Sequence, residues 1–486
     1  MNLETVCDLL GAPCPDRAEA LELTSIAYDS RRAGANSLFF ATTGRVSDGH
    51  DHAAEAVVNG AAAIVAERSC GTSVPEVIVP DARMAMTGIA SAFYGHPTHK
   101  LTLAGITGTK GKTTTSFMLE SIFRTAGKTT GLIGTVETRI AGQVSPGVRT
   151  TPEAPELQQA FARMVEAGVT HCVIEATSIG LHQGRLQGTE FDVVAFTNMG
   201  RDHLEEYHGT MEDYFLAKKL LFTRGSVKKA KAVINIDDPY GKRIAEQTDL
   251  EVIACGTGSG AEVRAERIEL HPDGSTFTAA GLNGDPSIRV GMPGRFNVMN
   301  ALISAGVAVQ MGIAPGDVAG GIEGLKGVPG RFETVDAGQS FSVIVDYAHT
   351  PESLENVLLA ARGLRAGRLI CVFGCGGDRD TSKRALMGFA AGEAADLVIA
   401  TSDNPRSEDP AAILEQIREG LEKTAPPEGY RVIADRREAI AAAVGSAKSG
   451  DVVVIAGKGH ETGQEINGVV YPFDDRTVAR QVIKAS

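Results

Sequence analysis

The sequence has no excess of positive charge and no long hydrophobic run, and each absence excludes a class of protein. Lys and Arg together number 47 against 60 Asp and Glu, which gives a formal net charge of −13. A general nucleic-acid binder would carry a basic face instead, although an anionic substrate could still bind in a local basic pocket. No run approaches the ~18 apolar residues of a membrane span. We therefore expect neither nucleic acid nor a membrane span among the partners of this chain.

The sequence also lacks a signal peptide and paired cysteine motifs. Its first residues, MNLETVCDLLGAPCPD, carry acids where a signal peptide would carry Lys or Arg. The seven cysteines are odd in number and dispersed, without a C-x-x-C pair or a zinc spacing. We expect a cytoplasmic monomer in which the cysteines are small core residues.

What the sequence does contain is a recurring pattern of short apolar runs, each followed by a Gly-rich or polar turn and a helical pattern. This pattern is typical of βα units with parallel sheets, so the predicted fold class is α/β. The Gly-Pro stretches YGHPTHK and GLKGVPGRFE predict boundaries between three domains, at 1–98, 99–328 and 329–486. Because open α/β sheets bind ligands beyond the carboxyl ends of their strands, the loops after the strands are the candidate sites.

The stretch GITGTKGKTTTSF resembles a phosphate-binding loop but departs from its usual spacing. The general pattern is G-x-x-x-x-G-K-[ST], yet five residues separate Gly105 from Gly111, and Ile106 stands where the first glycine is expected. A strand-like LTLAGIT precedes the loop and a helical pattern follows it, so backbone N–H groups and the helix dipole would converge on an anion. Lys112 could reach the β- and γ-phosphates of a nucleotide, and Thr113 could hold Mg²⁺.

The variant spacing G-T-x-G-K-T resembles that of the Mur ligase family, which is related to the folylpolyglutamate synthetases. Further motifs in the same order, GRFNVMNALISA, GVPGRFE and DYAHTPESL, extend the resemblance over nearly the whole chain. It implies an ATP-dependent amide-bond ligase with a central P-loop parallel-sheet ATPase domain, flanked by an N-terminal UDP-binding α/β domain and a C-terminal Rossmann-like α/β domain. The ATP-binding residues that it implies are Gly108, Thr109, Lys110, Gly111, Lys112, Thr113, Thr114, Asn297, Asn300, Arg331, Asp346 and His349.

A second group of motifs implies a UDP-muramoyl dipeptide as one substrate. DSRRAGANSLFFA resembles the uridine-binding segment of the family, while RTTPE and EATSIGLHQGRL resemble its muramoyl-dipeptide contacts. The implied residues are Ser30, Arg45, Val46, Ser47, Thr150, Thr151, Thr177, Gln183 and Arg185. Ile179 stands where many relatives have a histidine, so no role for that histidine carries over.

The implied reaction activates a carboxylate with the γ-phosphate of ATP, and an amine then attacks the resulting acyl phosphate. Two anions must approach each other, so the site needs cations, which Lys112, Mg²⁺ and Arg185 would provide. The resemblance implies Lys112, Glu175, His203 and Lys218 as catalytic residues. The metal-binding residues that it implies are Thr113, Glu175, His203 and Lys218.

Two of these residues need a chemical argument as well. Glu175 ends the apolar run HCVIEAT, and its carboxylate suits a hard Mg²⁺ ion. In YFLAKKLLF, the resemblance selects Lys218 over Lys219 as a lysine that CO₂ converts into a carbamate. An unmodified amine with a pKa of about 10.4 would be repelled by the metal, whereas a carbamate would be attracted. DHLEEYH is one residue longer than the matching family motif, so only His203, and not His208, is assigned.

The segment TSDNPRSEDP resembles the version of the family that uses diaminopimelate as the amine. The implied diaminopimelate-binding residues are Arg379, Asp403, Asn404, Pro405, Arg406, Gly457 and Glu461. An arginine pairs bidentately with a carboxylate, and diaminopimelate has a distal carboxylate that lysine lacks. The implied function is therefore the ligation of meso-2,6-diaminopimelate to UDP-N-acetylmuramoyl-L-alanyl-D-glutamate, a step of peptidoglycan synthesis that serves cell wall biogenesis, cell shape and cell division.

Other interpretations remain open at this point. The same ligation could use L-lysine, against which DNPR argues, although Asn-Pro could also be a plain turn. A folylpolyglutamate-synthetase-like ligase is a further alternative, but the folate enzymes do not share the DSRR segment. A regulatory nucleotide-binding module without ligase activity is the third, and the joint presence of Lys112, Glu175, His203 and Lys218 argues against it.

Overall fold

Three α/β regions follow one another along the chain. The computed structural model describes residues 1–16, 18–44, 47–202, 206–223, 230–271, 273–364 and 367–485. The predicted site residues Arg45, Val46 and His203 lie outside the described residues. No described helix combines the length and the apolar character that crossing a membrane requires.

The N-terminal region is a parallel sheet with helices packed against it. Its strands are β1 (Ser25–Ala27), β2 (Ser37–Phe40), β3 (Ala61–Ala66) and β4 (Glu76–Ile78), which pair in chain order. Its helices are α1 (Leu3–Leu10), α2 (Ala53–Val58) and α3 (Ala82–Phe93). Strand β2 is buried on both faces, as a parallel strand covered by helices should be.

The central region is built around a larger sheet. Its strands are β5 (Thr102–Thr107), β6 (Thr130–Ile133), β7 (Glu137–Ile140), β8 (Gln143–Pro146), β9 (His171–Glu175), β10 (Val193–Phe196), β11 (Lys231–Asn235), β12 (Glu251–Gly256), β13 (Val263–His271), β14 (Gly274–Ala280) and β15 (Ser287–Val290). Its helices are α4 (Lys112–Thr125), α5 (Ala154–Glu166), α6 (Ser178–His182), α7 (Met211–Thr223), α8 (Pro239–Gln247), α9 (Arg295–Gln310) and α10 (Pro315–Glu323). The spatial order of the strands is β15-β14-β13-β12-β11-β10-β5-β9-β6-β7-β8.

The centre of this sheet is parallel, whereas both edges carry antiparallel hairpins that the sequence pattern does not predict. Strand β5 pairs in parallel with β9 and β10, while β7 and β8 pair antiparallel. Ala141 and Gly142 form the two-residue turn between β7 and β8, both with positive φ (48° and 85°). Such a short connection can join only antiparallel strands, because a parallel pair needs a crossover of about a dozen residues or more.

The C-terminal region is a second, mostly parallel sheet with helices on both faces. Its strands are β16 (Glu333–Thr334), β17 (Ser342–Asp346), β18 (Leu369–Phe373), β19 (Leu397–Ala400), β20 (Tyr430–Val432) and β21 (Val452–Ala456), in the order β16-β17-β21-β18-β19-β20. A separate hairpin contains β22 (Gly463–Ile466) and β23 (Val469–Pro472). The helices are α11 (Pro351–Arg362), α12 (Lys383–Ala394), α13 (Pro410–Leu421), α14 (Arg436–Ser446) and α15 (Asp475–Ala485). The predicted α/β class is confirmed, while the two boundaries between the three domains stay predictions.

Candidate active site

A cavity of about 480 Å³ lies beyond the carboxyl ends of β5, β9 and β17. Of the residues predicted to bind ATP, those that line it are Thr109, Lys110, Gly111, Lys112, Thr113, Thr114, Asn300, Arg331, Asp346 and His349. Gly108 and Asn297 contact lining residues, since Lys112 donates to the Gly108 carbonyl and Asn300 donates to Asn297 Oδ1. The structure thus brings together predicted residues that lie more than two hundred positions apart in sequence.

The loop between β5 and α4 has the shape of an anion site. Gly108 has φ of +151°, and an added Cβ would lie 1.9 Å from Thr197 Oγ1. Gly111 has φ of +87°, and its Cβ would lie 2.4 Å from Asn300 Oδ1. Helix α4 begins at Lys112 with no capping side chain among the described residues, so the amides of its first turn can bind an anion. The unusual register of the motif therefore places glycine at the two positions where a side chain would clash.

Two lysines meet inside this loop. Lys112 Nζ donates to the carbonyl oxygens of Gly108 (2.7 Å) and Thr109 (3.0 Å), and Lys218 Nζ donates to the same Gly108 oxygen at 2.9 Å. Lys218 is 1% exposed, with its Nζ 4.3 Å from the centre of the Tyr214 ring. Burial lowers the pKa of Lys112 to about 8. Burial, and secondarily the charge of Lys112, lowers the pKa of Lys218 well below its ordinary value.

Glu175 lies fully buried at the end of β9, and its carboxylate binds groups from two other segments. Its Oε2 accepts hydrogen bonds from Thr113 Oγ1 (3.0 Å) and Thr135 Oγ1 (2.8 Å), and its Oε1 accepts from the Thr135 amide at 2.9 Å. Thr135 Oγ1 in turn lies 3.0 Å from Thr150 Oγ1. The carboxylate therefore connects the phosphate loop to a residue predicted for the dipeptide substrate.

The donors around Glu175 suit Mg²⁺ bound together with a nucleotide. Among the described residues there is no group of three or more His, Cys, Asp or Glu side chains that could hold a metal alone. Mg²⁺ commonly takes one or two carboxylates and completes its octahedron with water and phosphate oxygens. Thr113 Oγ1 and Glu175 Oε2, 3.0 Å apart, are hard oxygen donors at the cavity. Lys218 Nζ reaches the adjoining phosphate loop at the Gly108 carbonyl oxygen, 2.9 Å away.

The C-terminal region contributes the opposite side of the cavity. Arg331 donates to Thr113 Oγ1 at 3.4 Å, and its guanidinium carbon lies 4.6 Å from the centre of the Tyr347 ring. Burial raises the pKa of Asp346, against the opposing effect of Arg331 and of two backbone amides that donate to its carboxylate. Burial, with the charge of Lys110 next, lowers the pKa of His349 to about 4, so its imidazole is neutral at pH 7.

The residues predicted for the muramoyl dipeptide lie beside the phosphate loop. Thr150 and Thr177 line the cavity, and Thr151 Oγ1 lies 2.9 Å from Thr177 Oγ1. Arg185 donates to the Thr151 carbonyl (2.9 Å) and to Gln183 Oε1 (2.6 Å). Thr151, Thr177, Gln183 and Arg185 therefore form one hydrogen-bonded group at the edge of the cavity, and Thr150 precedes Thr151 in the chain.

Ser30 and Ser47, the two described residues predicted to bind uridine, are connected through a short chain of polar side chains. Ser30 donates to Glu55 Oε2 at 2.6 Å, and that oxygen lies 3.7 Å from His52 Nδ1. The other ring nitrogen of His52 lies 2.8 Å from Ser47 Oγ. Glu55 and His52 are not among the residues predicted from the sequence, because the segment HDHAAEAVVNG that carries them offers only a helical pattern.

A second cavity, of about 160 Å³, holds the residues predicted for diaminopimelate. The predicted residues that line it are Arg379, Asp403, Asn404, Arg406, Gly457 and Glu461, while Pro405 lies between two of them. Arg406 donates from Nη1 to the Gly377 carbonyl (2.7 Å), and its Nε lies 3.3 Å from Glu465 Oε2. Asp202, Tyr347 and His349 line both cavities, so the two are adjacent and share one side.

Sequence reasoning missed several residues that shape this shared side. Asp202 accepts from Lys110 Nζ at 2.9 Å and lies 3.6 Å from His349 Nε2. Asn198 Oδ1 accepts from the Lys110 amide at 2.9 Å, and Asn198 Nδ2 donates to the Lys110 carbonyl at 3.1 Å. Asn198 and Asp202 both lie in the segment FTNMGRD at the end of β10. Their position at the carboxyl end of a parallel strand is the feature from which the sequence could have predicted them as site residues.

Comparison with known families divides the chain in the same order as its three α/β regions. The family model described as "Mur ligase family, catalytic domain" matches residues 22–94. The "Mur ligase middle domain" matches residues 106–308, and "Mur ligase, glutamate ligase domain" matches residues 330–459.

Curated relatives match over almost their full length. The UDP-N-acetylmuramoyl-L-alanyl-D-glutamate–2,6-diaminopimelate ligase of Bacillus licheniformis is 48% identical over 95% of this chain and 95% of its own. The ligase of the same name from Geobacillus thermodenitrificans is 47% identical over 100% of this chain and 99% of its own.

Solved structures give the same result for the fold. A structure of a UDP-N-acetylmuramoyl-L-alanyl-D-glutamate–2,6-diaminopimelate ligase aligns with a TM-score of 0.70 at 32% identity, covering 100% of this chain and 99% of that chain. A MurF ligase from Thermotoga maritima in complex with ADP aligns with a TM-score of 0.64 at 19% identity, covering 95% of this chain and 96% of that chain. At that identity the second likeness concerns the fold alone.

Proposed function

The chain belongs to the Mur ligase family, and from this premise we propose its reaction and the residues that perform it. It is an ATP-dependent amide-bond ligase that joins meso-2,6-diaminopimelate to UDP-N-acetylmuramoyl-L-alanyl-D-glutamate in peptidoglycan precursor synthesis. One observation supports this assignment most directly. The cavity of the phosphate loop and the cavity of the DNPR segment share the residues Asp202, Tyr347 and His349, so a nucleotide and an amine can bind side by side.

In the first step, a carboxylate oxygen of the UDP-dipeptide attacks the γ-phosphorus of ATP, and the bond to ADP breaks. Lys112 and the open N-terminus of α4 bind the phosphates, while Thr150, Thr177 and Arg185 hold the dipeptide beside them. The positive charges of Lys112, Arg185 and the helix N-terminus reduce the repulsion between the two anions, and the threonine hydroxyls help to orient the dipeptide. Thr113 and Glu175 would hold Mg²⁺, which would neutralise phosphate charge.

Lys218 takes part as a CO₂-derived carbamate. Its pKa is lowered well below the ordinary value by burial, which increases the fraction of neutral amine that can react with CO₂. The carbamate carries oxygen donors and a negative charge, so it complements the metal, as the ammonium would not. His203, which follows Asp202 in sequence, is the remaining proposed metal ligand.

In the second step, an amine of diaminopimelate attacks the acyl carbonyl carbon. The new C–N bond forms, the bond to the phosphate oxygen breaks, and inorganic phosphate leaves together with the amine proton. Arg406 and Asn404 hold the distal end of the amino acid, so that its reacting amine faces the shared side of the two cavities. L-Lysine has no distal carboxylate to pair with Arg406, which is why diaminopimelate is the preferred amine.

The proposal extends to the organisation and location of the protein. Its domains are 1–98 for the UDP-substrate, 99–328 for ATP and 329–486 for the amino acid, and it acts as a monomer. All seven cysteines lie within the described residues with free thiols, which supports a reducing, cytoplasmic location. Five of them are buried as expected, whereas Cys14 is exposed and Cys70 is half-buried, so the expectation of core cysteines is wrong for these two. Light scattering at increasing protein concentration tests the monomer.

A mass-resolved ligation assay tests the reaction. The enzyme is given the UDP-dipeptide and Mg-ATP with equal concentrations of meso-diaminopimelate and L-lysine, and the products are separated by mass. We expect the diaminopimelate adduct to dominate and phosphate release to require both the dipeptide and an amine. Dominance of the lysine adduct would overturn the amine assignment, and ATP hydrolysis indifferent to both substrates would overturn the ligase assignment.

A further inference from the structure

Lys458 is a fully buried cation behind the diaminopimelate cavity. Its side chain is 0% exposed, and its Nζ donates to Asn404 Oδ1 and to Glu461 Oε2, each at 2.9 Å. Asp403 Oδ1 lies 3.9 Å from the same nitrogen. A lysine is almost never fully buried unless it is paired, so these three partners determine where its charge lies.

The contacts of Lys458 determine which way the Asn404 amide points. Asn404 Oδ1 accepts from Lys458 Nζ at 2.9 Å and from the Glu465 amide at 3.0 Å, while Asn404 Nδ2 donates to Glu461 Oε2 at 2.9 Å. An ammonium and a backbone N–H can only donate, and an ionised carboxylate can only accept. If the amide were rotated by 180°, its Nδ2 would face two donors, Lys458 Nζ and the Glu465 amide, and its Oδ1 would face the acceptor Glu461 Oε2. The chemistry of the three partners therefore fixes its orientation.

The fixed orientation limits what Asn404 can offer to a ligand. Both acceptor positions of Oδ1 are used by Lys458 and Glu465, whereas Nδ2 uses only one of its two N–H groups on Glu461. Asn404 lines the same cavity as Arg406. The two side chains together therefore present hydrogen-bond donors, which match a carboxylate and do not match an ammonium.

We propose that Lys458 is a positioning residue for amine selection: it holds Asn404 as a donor, so that the cavity selects an amino acid with a carboxylate at its distal end. This inference rests on the proposed function, because it concerns the amine site of that reaction. Lys458 acts through Asn404, and it also balances the negative charges of Asp403 and Glu461. Without it, the Asn404 amide would keep two of its three partners, and the carboxylates of Asp403 and Glu461 would lose their balancing charge and repel the distal carboxylate of diaminopimelate, which L-lysine lacks.

The substitution Lys458→Met tests this role, since methionine keeps most of the length of the unbranched side chain and removes its donors. Steady-state kinetics of the full enzyme with Mg-ATP and the UDP-dipeptide are compared for meso-diaminopimelate and L-lysine. We expect KM for diaminopimelate to rise on the order of 10- to 100-fold, as for lost hydrogen bonds to charged groups. The ratio of kcat/KM values for the two amines should fall by a similar factor, while KM for ATP and for the UDP-dipeptide stays unchanged. Lys423→Met, at an exposed position, is the matched control.

A second variant keeps the inference testable if Lys458→Met does not fold. In Asn404→Asp, one carboxylate oxygen still accepts from Lys458 and from the Glu465 amide, but the other oxygen replaces the Nδ2 donor with an acceptor. We expect the amine preference to move toward L-lysine by at least ten-fold. If Lys458→Met and Asn404→Asp both fold and both keep the wild-type preference for diaminopimelate over L-lysine, the role of Lys458 is overturned and the proposed function stays intact. A wild-type enzyme that ligates neither amine would overturn both together.

Discussion

Lys112 and Lys218 donate hydrogen bonds to one and the same acceptor, the carbonyl oxygen of Gly108, at 2.7 and 2.9 Å. Two ammonium groups on one neutral oxygen repel each other, and burial lowers the pKa of both. The pKa of Lys112 falls to about 8, which leaves this lysine mainly charged at pH 7, whereas the pKa of Lys218 falls well below its ordinary value. This difference supports the proposal that Lys112 binds phosphate as a cation and that Lys218 reacts with CO₂ as an amine.

The first prediction concerns the modification of Lys218. Lys218→Ala should lose most activity, whereas Lys219→Ala, its neighbour on α7, should keep it. A small carboxylic acid added to Lys218→Ala should restore part of the activity, because it replaces the carbamate in the vacated space. Depleting CO₂ from the buffer should slow the wild-type enzyme and leave Lys218→Ala unaffected. An active Lys218→Ala beside an inactive Lys219→Ala would mean that the wrong lysine is assigned.

The second prediction concerns the pH dependence of ATP binding at Lys112. The free enzyme loses this proton as the pH rises through about 8, whereas bound phosphate favours the charged form and raises the pKa. Affinity for Mg-ATP should therefore be constant below pH 8 and weaken by up to about ten-fold per pH unit above it, with proton uptake on binding. Isothermal titration calorimetry in buffers of different ionisation enthalpy measures both quantities. Lys112→Arg, which stays charged, should lose this pH dependence, and an unchanged slope would contradict the assignment to Lys112.

The third prediction separates the two substrates of the first step. Lys112→Ala should abolish formation of the acyl phosphate but leave binding of the UDP-dipeptide measurable. The reason is that Ser30 and Ser47 lie in the N-terminal region, in a polar chain with Glu55 and His52 that does not include Lys112. Calorimetric titration with the UDP-dipeptide, beside a phosphate-release assay, checks this division. A folded Lys112→Ala variant that loses both acyl-phosphate formation and UDP-dipeptide binding would contradict this division.

The sequence predicted the α/β class and most of the candidate site because local motifs carry them. The phosphate loop needs glycine at positions 108 and 111 for steric reasons, so its pattern can be recognised from the amino-acid sequence alone. Glu175 was predictable as well, since a lone carboxylate at the end of an apolar strand is unusual. Residues of this kind can be recognised from their type and from their spacing in the sequence.

The missed residues depend on contacts that spacing does not encode. Lys458 stands beside the predicted Gly457, but only its complete burial and its bonds to Asn404 and Glu461 distinguish it from a surface lysine. Thr135 follows β6, and its contact with Glu175 depends on β6 lying beside β9. Strand order and side-chain burial are set by tertiary packing, so these two roles needed the structure.

The fourth prediction concerns a buried ion pair beneath the amine cavity. Arg436 and Asp475 are both 0% exposed and lie 2.7 Å apart, and Arg436 also donates to the carbonyls of Ser402 and Ala456, which precede the DNPR and GKGHE segments. Arg436→Met leaves a buried carboxylate without its partner, which should lower the free energy of unfolding by about 3–5 kcal/mol. Urea denaturation followed by circular dichroism measures the change.

Two comparisons make the fourth prediction specific. Arg437→Met, at the exposed neighbouring position, should change stability by less than about 0.5 kcal/mol. The double variant Arg436→Met with Asp475→Leu should recover part of the loss, because it removes both charges. Equal stability of Arg436→Met and the wild type would show that the pair does not support the loops.

The last prediction concerns Arg406, whose backbone and side chain have separable roles. Its amide donates to the Glu465 carbonyl (3.0 Å) and its carbonyl accepts from the Asn467 amide (2.7 Å), so Arg406→Ala keeps the backbone contacts with the β22–β23 hairpin. The lost guanidinium is the group expected to pair with the distal carboxylate of diaminopimelate, and it now lies beside Glu465 and the Gly377 carbonyl. A site built for a group that the competitor lacks can discriminate by roughly 10⁴ or more. In Arg406→Ala, KM for diaminopimelate should therefore rise by orders of magnitude, while KM for ATP and for the UDP-dipeptide stays nearly unchanged. The control variant Arg431→Ala, at an exposed position on β20, should behave as the wild type. If Arg406→Ala retained the preference for diaminopimelate over lysine, DNPR would be only a turn, and the selection of the amine would have to come from other residues of the cavity.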